Sequence, residues 1–229
     1  MKLLLHLCCG PCATGTLAWL REEMPAAELT GFFYNPNIHP VEEYQRRRQA
    51  MAQVGQALEL PVVWAGEEQG VFEYLQQVAF RAGGRCRACY AMRLAQAARQ
   101  AVAANCDAFS TTLLISPYQD LADIHLIGRA LGKHFGPDFL FHDLRPYYPL
   151  SRSRARELGL YQQKYCGCLF SELDREQARA RRTAEKAGQP TPDFPQRGLC
   201  LLGSELRPFT LAGLDPEATA QLLASLTAG

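Results

Sequence analysis

The sequence predicts an α/β fold, a mostly parallel sheet with helices on both faces. Short apolar runs closed by Gly, Pro or Asn alternate with longer stretches whose apolar residues recur at helical spacing. The chain has 229 residues, 48% of them hydrophobic and 21% charged, which suits one medium domain able to bury a core without disulfide staples. Its nine cysteines therefore call for another explanation.

Lys2–Leu7 reads as a buried strand, left through the turn CCGPC, and Ala13–Met24 as a helix carrying Leu17, Leu20 and Met24 on one face. Leu29–Asn35 is a second strand ending in NPNIHP. Pro40, Glu42 and Glu43 open a helix whose apolar face is Tyr44, Met51, Val54 and Leu58. Pro61–Ala65 is a third strand. Helices over Val71–Arg81 and Tyr90–Ala104 follow, separated by the loop GGRCRAC, in which Gly83 and Gly84 free the backbone to bend. Ala108–Leu114 is a fourth strand, Asp120–His134 a helix and Phe139–Leu144 a fifth strand. A helix over Ser153–Gln162 leads into YCGC, and a charged helix covers Ser171–Ala187. Residues 1–187 are expected to form the α/β domain. Residues 188–229, rich in Pro and Gly and closing on an amphipathic stretch near Pro216–Leu226, form a C-terminal appendage.

The apolar N-terminal run is too short and too interrupted for a signal peptide or a membrane span. The expected setting is cytoplasmic, without membrane association, where grouped cysteines are more often ligands or redox centres than staples. A net charge of +1 argues neither for nor against nucleic acid.

Ligands of parallel sheets sit beyond the carboxyl ends of the strands, where strand order reverses. If strands one and four are neighbours, CCGPC and SPYQ face each other across that crevice, and the CxxC and CxC segments can close over it. Seven cysteines fall into three groups: Cys8, Cys9 and Cys12; Cys86 and Cys89; Cys166 and Cys168. Cys106 and Cys200 stand alone and read as small buried hydrophobes. Arg85 and Arg87 are expected to favour thiolates at the CxxC. Adjacent Cys8 and Cys9 reach one site only where the backbone leaves the strand, which Gly10 and Pro11 provide. Thiolates suit zinc or iron–sulfur, and the unspaced pair together with the CxxC favours a four-thiolate cluster. Cys166 and Cys168 have three readings: a labile redox disulfide, ligands of a further metal with Cys12 and a carboxylate, or one ligand and one packed thiol.

Other residues carry paired readings. His6 is a core histidine or a ligand. His39 is a loop functional group or a helix N-terminal residue beside Pro40. Asp143 is a metal ligand, a proton donor, or the partner of Arg145. Thr111, Thr112, Ser116, Tyr118 and Gln119 offer a polar patch for substrate. The runs Arg46–Arg48 and Arg175, Arg179, Arg181 and Arg182 are solvated faces or phosphate contacts.

Taken in order, HLCCGPC, YNPNIHP followed by EY, RCRACYAMRL, FSTTLLISPYQ and LYQQKYCGCLFS resemble the QueH-type epoxyqueuosine reductases, from about Leu3 to Ser171. The resemblance implies an ATP-pyrophosphatase-like, Rossmann-like fold with cysteines in place of the phosphate loop. It also implies reduction of the epoxide of epoxyqueuosine in tRNA, the last step of queuosine synthesis. On that basis Cys8, Cys9, Cys86 and Cys89 would bind a [4Fe–4S] cluster. Cys166 and Cys168 would be the redox pair, or would help hold a second, mononuclear iron with Asp143 or Cys12. Asp143 and His39 are the candidate acids, tRNA is the substrate partner, and an unidentified electron donor is required. The rivals are a thiol oxidoreductase acting on proteins, a zinc-stabilised RNA-binding module and, last, a tRNA-thiolating enzyme of related fold. The latter needs a phosphate-cradling SGGxDS loop, whose place CCGPCATG occupies.

Overall fold

In the computed structural model, residues 1–66, 70–79 and 84–192 are described. Gly83, Cys200, the stretch near Pro216–Leu226 and nearly all of the expected appendage lie outside them. The core is a five-stranded parallel sheet of order β3-β2-β1-β4-β5, formed by β1 (Lys2–His6), β2 (Glu28–Phe33), β3 (Val62–Trp64), β4 (Ala108–Thr111) and β5 (Asp138–Phe139). β1 is central, and Leu3, Leu4 and Leu5 are fully buried because a parallel strand is covered on both faces.

The helices are α1 (Gly10–Glu23), α2 (Val41–Ala57), α3 (Gly70–Val78), α4 (Arg85–Ala103), α5 (Leu121–Phe135), α6 (Tyr148–Glu157) and α7 (Leu169–Lys186). α1 packs with α2 and α6, and α4 packs with α3 and α5. The chain winds outward from β1 to β3 and then returns to β4 on the other side of β1. The expected adjacency of strands one and four is thus observed, and it places the switch point between them. The fold is Rossmann-like.

Four boundaries differ from expectation. Strand four stops at Thr111, because the Thr111 hydroxyl accepts the N–H of Leu113 and turns the chain into a 3-10 helix over Thr112–Ile115. With β4 ended, β5 has no partner beyond Leu140, whose N–H reaches Phe109 O. The expected strand over 139–144 therefore shrinks to two residues and Asp143 lies past it. α4 begins at Arg85 after Gly84 in a left-handed conformation, so the CxxC lies on a helix and not in a loop. α6 starts earlier than expected, at Tyr148 with Pro149 in its first turn, and ends before Gly159 at φ +61°. No described helix is long and apolar enough to cross a membrane.

Candidate active site: a thiol crevice at the switch point

Extended Cys9 caps α1 and Pro11 occupies its first turn, so the βα turn after β1 carries Cys8 and Cys9 directly into a helix N-terminus. Gly10 is required by packing, since a Cβ there would stand 2.8 Å from the carbonyl oxygen of Ala50 on α2. One helical turn on, Cys12 returns to the same side. The sulfurs of Cys8, Cys9 and Cys12 all lie within 4.8 Å of one another, and all three residues are buried.

Across the switch, Thr112 Oγ1 accepts the N–H of Cys8 at 2.8 Å and donates to its Sγ at 3.2 Å. The Cys8 pKa falls well below the ordinary thiol value. Hydrogen bonds from Cys12 and then Cys9 outweigh burial, with help from the Arg93 charge and Thr112. Cys9 is raised mainly by burial, and Cys12 by its hydrogen bonds to Cys8 and Cys9. The three hydrogen-bonded sulfurs therefore favour one thiolate among them, beside Thr112 and the Arg93 charge.

Cys86, Cys89 and Arg93 recur at i, i+3 and i+7 on α4, one face of that helix. Cys86 is exposed and Cys89 buried, and burial pushes the Cys89 thiol up to about 12. At Cys89 the expected effect of Arg85 and Arg87 is not what the structure shows. Arg87 pairs with Asp123 at 2.5 Å and Arg85 lies over the ring of Phe170 at 4.3 Å. The cation against Cys89 is Arg93, 2% exposed, whose Nη2 donates to Asn35 Oδ1 at 2.6 Å. Asn35 in turn donates to Leu7 O at 2.8 Å. Arg93 acts electrostatically on Cys8, Cys89 and Cys166, and its buried Nε has no well-formed acceptor among the described residues. Cys86 and Cys89 do not join the tight triplet.

The CGC segment forms the third wall. Arg47, 2% exposed, donates to Glu43 at 2.8 Å, to Cys166 O at 2.8 Å and to Tyr165 O at 3.0 Å, and Glu43 also accepts from Tyr161. Gly167 has φ +132° and gives its carbonyl to the N–H of His39 at 2.8 Å. Cys166 is open to solvent but sits in a crevice walled by protein, and that desolvation raises its pKa. Gln119 donates to Cys166 Sγ at 3.6 Å, and Gln163 donates to Cys9 Sγ at 2.8 Å. Cys168 caps α7, accepting from Ser171 N–H.

His6 is fully buried, bonded to Thr111 Oγ1 at 2.8 Å and Tyr34 O at 3.1 Å, and burial lowers its pKa to about 3. It is a core histidine. His39 is half-buried, and both ring nitrogens are shielded without a well-formed bond among the described residues. Burial lowers its pKa. Asp143 lies at the surface, paired with Arg145 at 2.5 Å, and the hydrogen bond from Arg145 lowers its carboxyl pKa. Of the Arg46–Arg48 run, Arg47 is a buried clamp, while Arg46 and Arg48 lie over Tyr161 and Trp64.

Arg93, Asn35, Gln163 and the Glu43–Arg47 pair were not singled out from sequence as parts of this site. The i+4 step from Cys89 to Arg93 was a signal that could have found the first. The donor set fits a thiophilic group, with three buried sulfurs free of carboxylate or imidazole and a buried guanidinium holding a spare donor. A four-iron cluster spans more space than a single ion, so thiols holding one need not touch one another.

A family model for epoxyqueuosine reductase QueH matches residues 3–174. The chain belongs to that family. It is 38% identical over 174 residues to the epoxyqueuosine reductase QueH of Dehalococcoides mccartyi, covering 76% of this chain and 94% of that protein. The Thermotoga maritima QueH is 35% identical over 186 residues, covering 78% of this chain and 94% of its own length. The Streptococcus pyogenes QueH is 32% identical, with 74% and 70% covered. The QueH match takes in every cysteine of the crevice and ends six residues into α7.

Proposed function

We propose that this chain is an epoxyqueuosine reductase, an oxidoreductase that converts the epoxide of epoxyqueuosine in tRNA to the cyclopentene of queuosine in the cytoplasm. The observation carrying this reading is the buried Cys8–Cys9–Cys12 triplet at the β1/β4 switch point of a QueH-family chain. Cys8, Cys9, Cys86 and Cys89 are the proposed holders of a [4Fe–4S] cluster, with Cys12 completing the thiol wall. When bound, such a cluster supplies electrons singly from a protein-shielded position.

Removing the epoxide oxygen as water takes two electrons and two protons. Oxidation of the Cys166 and Cys168 thiols to a disulfide releases that number of each, so the CGC pair balances the reaction. A small-ring disulfide is readily reduced again, and the reset requires an external electron donor. Gly167 and the Arg47 clamp fix both thiols at the mouth of the crevice. Asp143, ionised and paired with Arg145, holds no proton at neutral pH, and burial keeps the His39 ring neutral, so the proton for the departing oxygen falls to the Cys166 thiol, whose pKa desolvation raises. A second iron through Cys12 and Asp143 would require Asp143 to release Arg145. An anticodon loop presents its bases unstacked, which suits an open crevice.

The test is anaerobic reconstitution with iron and sulfide, followed by incubation with tRNA bearing epoxyqueuosine and a strong reductant. Queuosine in the nucleoside digest is the expected result. A brown, iron-loaded protein that forms none overturns the assignment. A colourless protein holding one zinc per chain overturns the iron–sulfur proposal.

A further inference from the structure

We infer that Tyr118 is a stacking platform for a nucleobase of the RNA substrate. This inference rests on the proposed tRNA substrate and adds a contact to it. Tyr118 is 82% exposed, the highest exposure among the large hydrophobic side chains of the described residues. One exposed aromatic is ordinary on a protein surface. Its setting distinguishes this one.

The next residue, Gln119, reaches into the crevice and donates to Cys166 Sγ at 3.6 Å, so Tyr118 stands on the rim beside the residue that touches the CGC segment. The loop beneath it is fixed. Tyr118 N–H donates to Ser116 Oγ at 3.3 Å, Gln119 accepts from the Tyr90 hydroxyl at 2.9 Å, and the same hydroxyl accepts the N–H of Asp120 at 3.3 Å. An exposed ring on a pinned loop loses little entropy when a ligand covers it. Tyr148 meets Tyr118 edge-on, with ring centroids 6.4 Å apart at 85°, and steadies the ring without covering both of its faces.

A flat π face held at the mouth of a crevice fits an unstacked base of single-stranded RNA, because every base has a π face. The partner is thus a base in the loop that enters the crevice. A phosphate is excluded as the partner of this ring, since a phenol face offers it no countercharge.

The iron-loaded full chain is titrated with tRNA at several salt concentrations, as wild type, Tyr118→Ala and Tyr118→Phe. Loss of one base–aromatic stack weakens binding on the order of tenfold in Tyr118→Ala. Tyr118→Phe keeps the wild-type affinity within about twofold, because the ring face and not the hydroxyl makes the contact. The slope of log affinity against log salt stays at the wild-type value, since no phosphate contact is lost. In Tyr118→Trp, the emission of the new indole is quenched on RNA binding. A wild type that binds and reduces its tRNA while Tyr118→Ala binds equally well overturns the platform alone. A reduced salt slope in Tyr118→Ala overturns it too, by making the contact electrostatic. A wild type that binds no tRNA overturns the functional reading and the platform with it.

Discussion

The hydroxyl of Thr112 serves both ends of Cys8, accepting its backbone N–H at 2.8 Å and donating to its sulfur at 3.2 Å. Both groups are buried, so this oxygen joins β1 and the segment after β4 at the one place where their ends diverge. Thr112→Val keeps the shape and removes both bonds. An unsatisfied buried N–H costs about 1–3 kcal/mol, so denaturant unfolding should show a loss of that size. Thr112→Ser, which keeps the oxygen, should lose less than half as much. Equal stability of Thr112→Val and wild type would mean that the bonds contribute nothing net.

His6 gives the protein an acid-sensitive core. Tyr34 O can only accept, so Nε2 carries the hydrogen and Nδ1 accepts from Thr111, which is the neutral tautomer. The folded pKa, about 3, lies below the unfolded value of 6.5. The unfolded chain therefore binds a proton that the folded chain refuses. The stability from this group is fully present above pH 6.5 and is lost as pH falls from there toward 3. At pH 5 the loss depends on the unfolded value alone and is about 2 kcal/mol. Unfolding of wild type and His6→Gln at pH 7.5, 6 and 5 tests this. The wild-type curve should fall more steeply, and parallel curves would refute it.

Much of this arrangement was legible in the sequence, and the reasons it was are specific. The crevice followed from CCGPC and SPYQ each lying past the carboxyl end of a strand, because parallel strands bring those ends together. The closeness of Cys8 to Cys9 followed from Gly10 and Pro11 breaking the strand. The course of the chain after Thr111 could not be read. LLI is as apolar as a strand, and only the side-chain bond from Thr111 to Leu113 N–H shows that the chain turns. The role of Arg47 was hidden for a related reason. Three consecutive arginines look alike in sequence, and the helix rotates just one of them inward onto Glu43.

That inward arginine carries the next prediction. Arg47 satisfies Glu43 and the carbonyls of Tyr165 and Cys166 with three separate nitrogens in one plane. A lysine ammonium cannot span the same acceptors. Arg47→Met leaves Glu43 buried without its cation and should cost about 3–5 kcal/mol in urea unfolding. Arg47→Lys should fold with a smaller loss but release the CGC segment, lowering turnover while iron content stays near wild type. Gly167→Ala tests the same segment from the other side. A Cβ there would approach Arg47 Nη1 at 3.0 Å from a backbone at φ +132°. Wild-type turnover in both Arg47→Lys and Gly167→Ala would show that the position of Cys166 does not matter.

Arg93 should act on redox behaviour more than on fold. It is a fully buried cation held by Asn35, and it feels Cys8 from one wall of the crevice and Cys89 and Cys166 from the others. Thiolates gathered around a metal group concentrate negative charge, and adding an electron adds more. A nearby guanidinium stabilises the reduced form, so removing it makes reduction harder. In the metal-loaded protein, Arg93→Met should shift the midpoint potential to more negative values, on the order of 50–100 mV for one charge at an effective dielectric of about 20. Arg93→Lys keeps the charge and should recover most of that shift, even where the loss of the Asn35 bond lowers stability. Spectroelectrochemical titration of the visible absorption reads this directly. Equal potentials in wild type and Arg93→Met, at equal iron content, would reduce Arg93 to a packing residue.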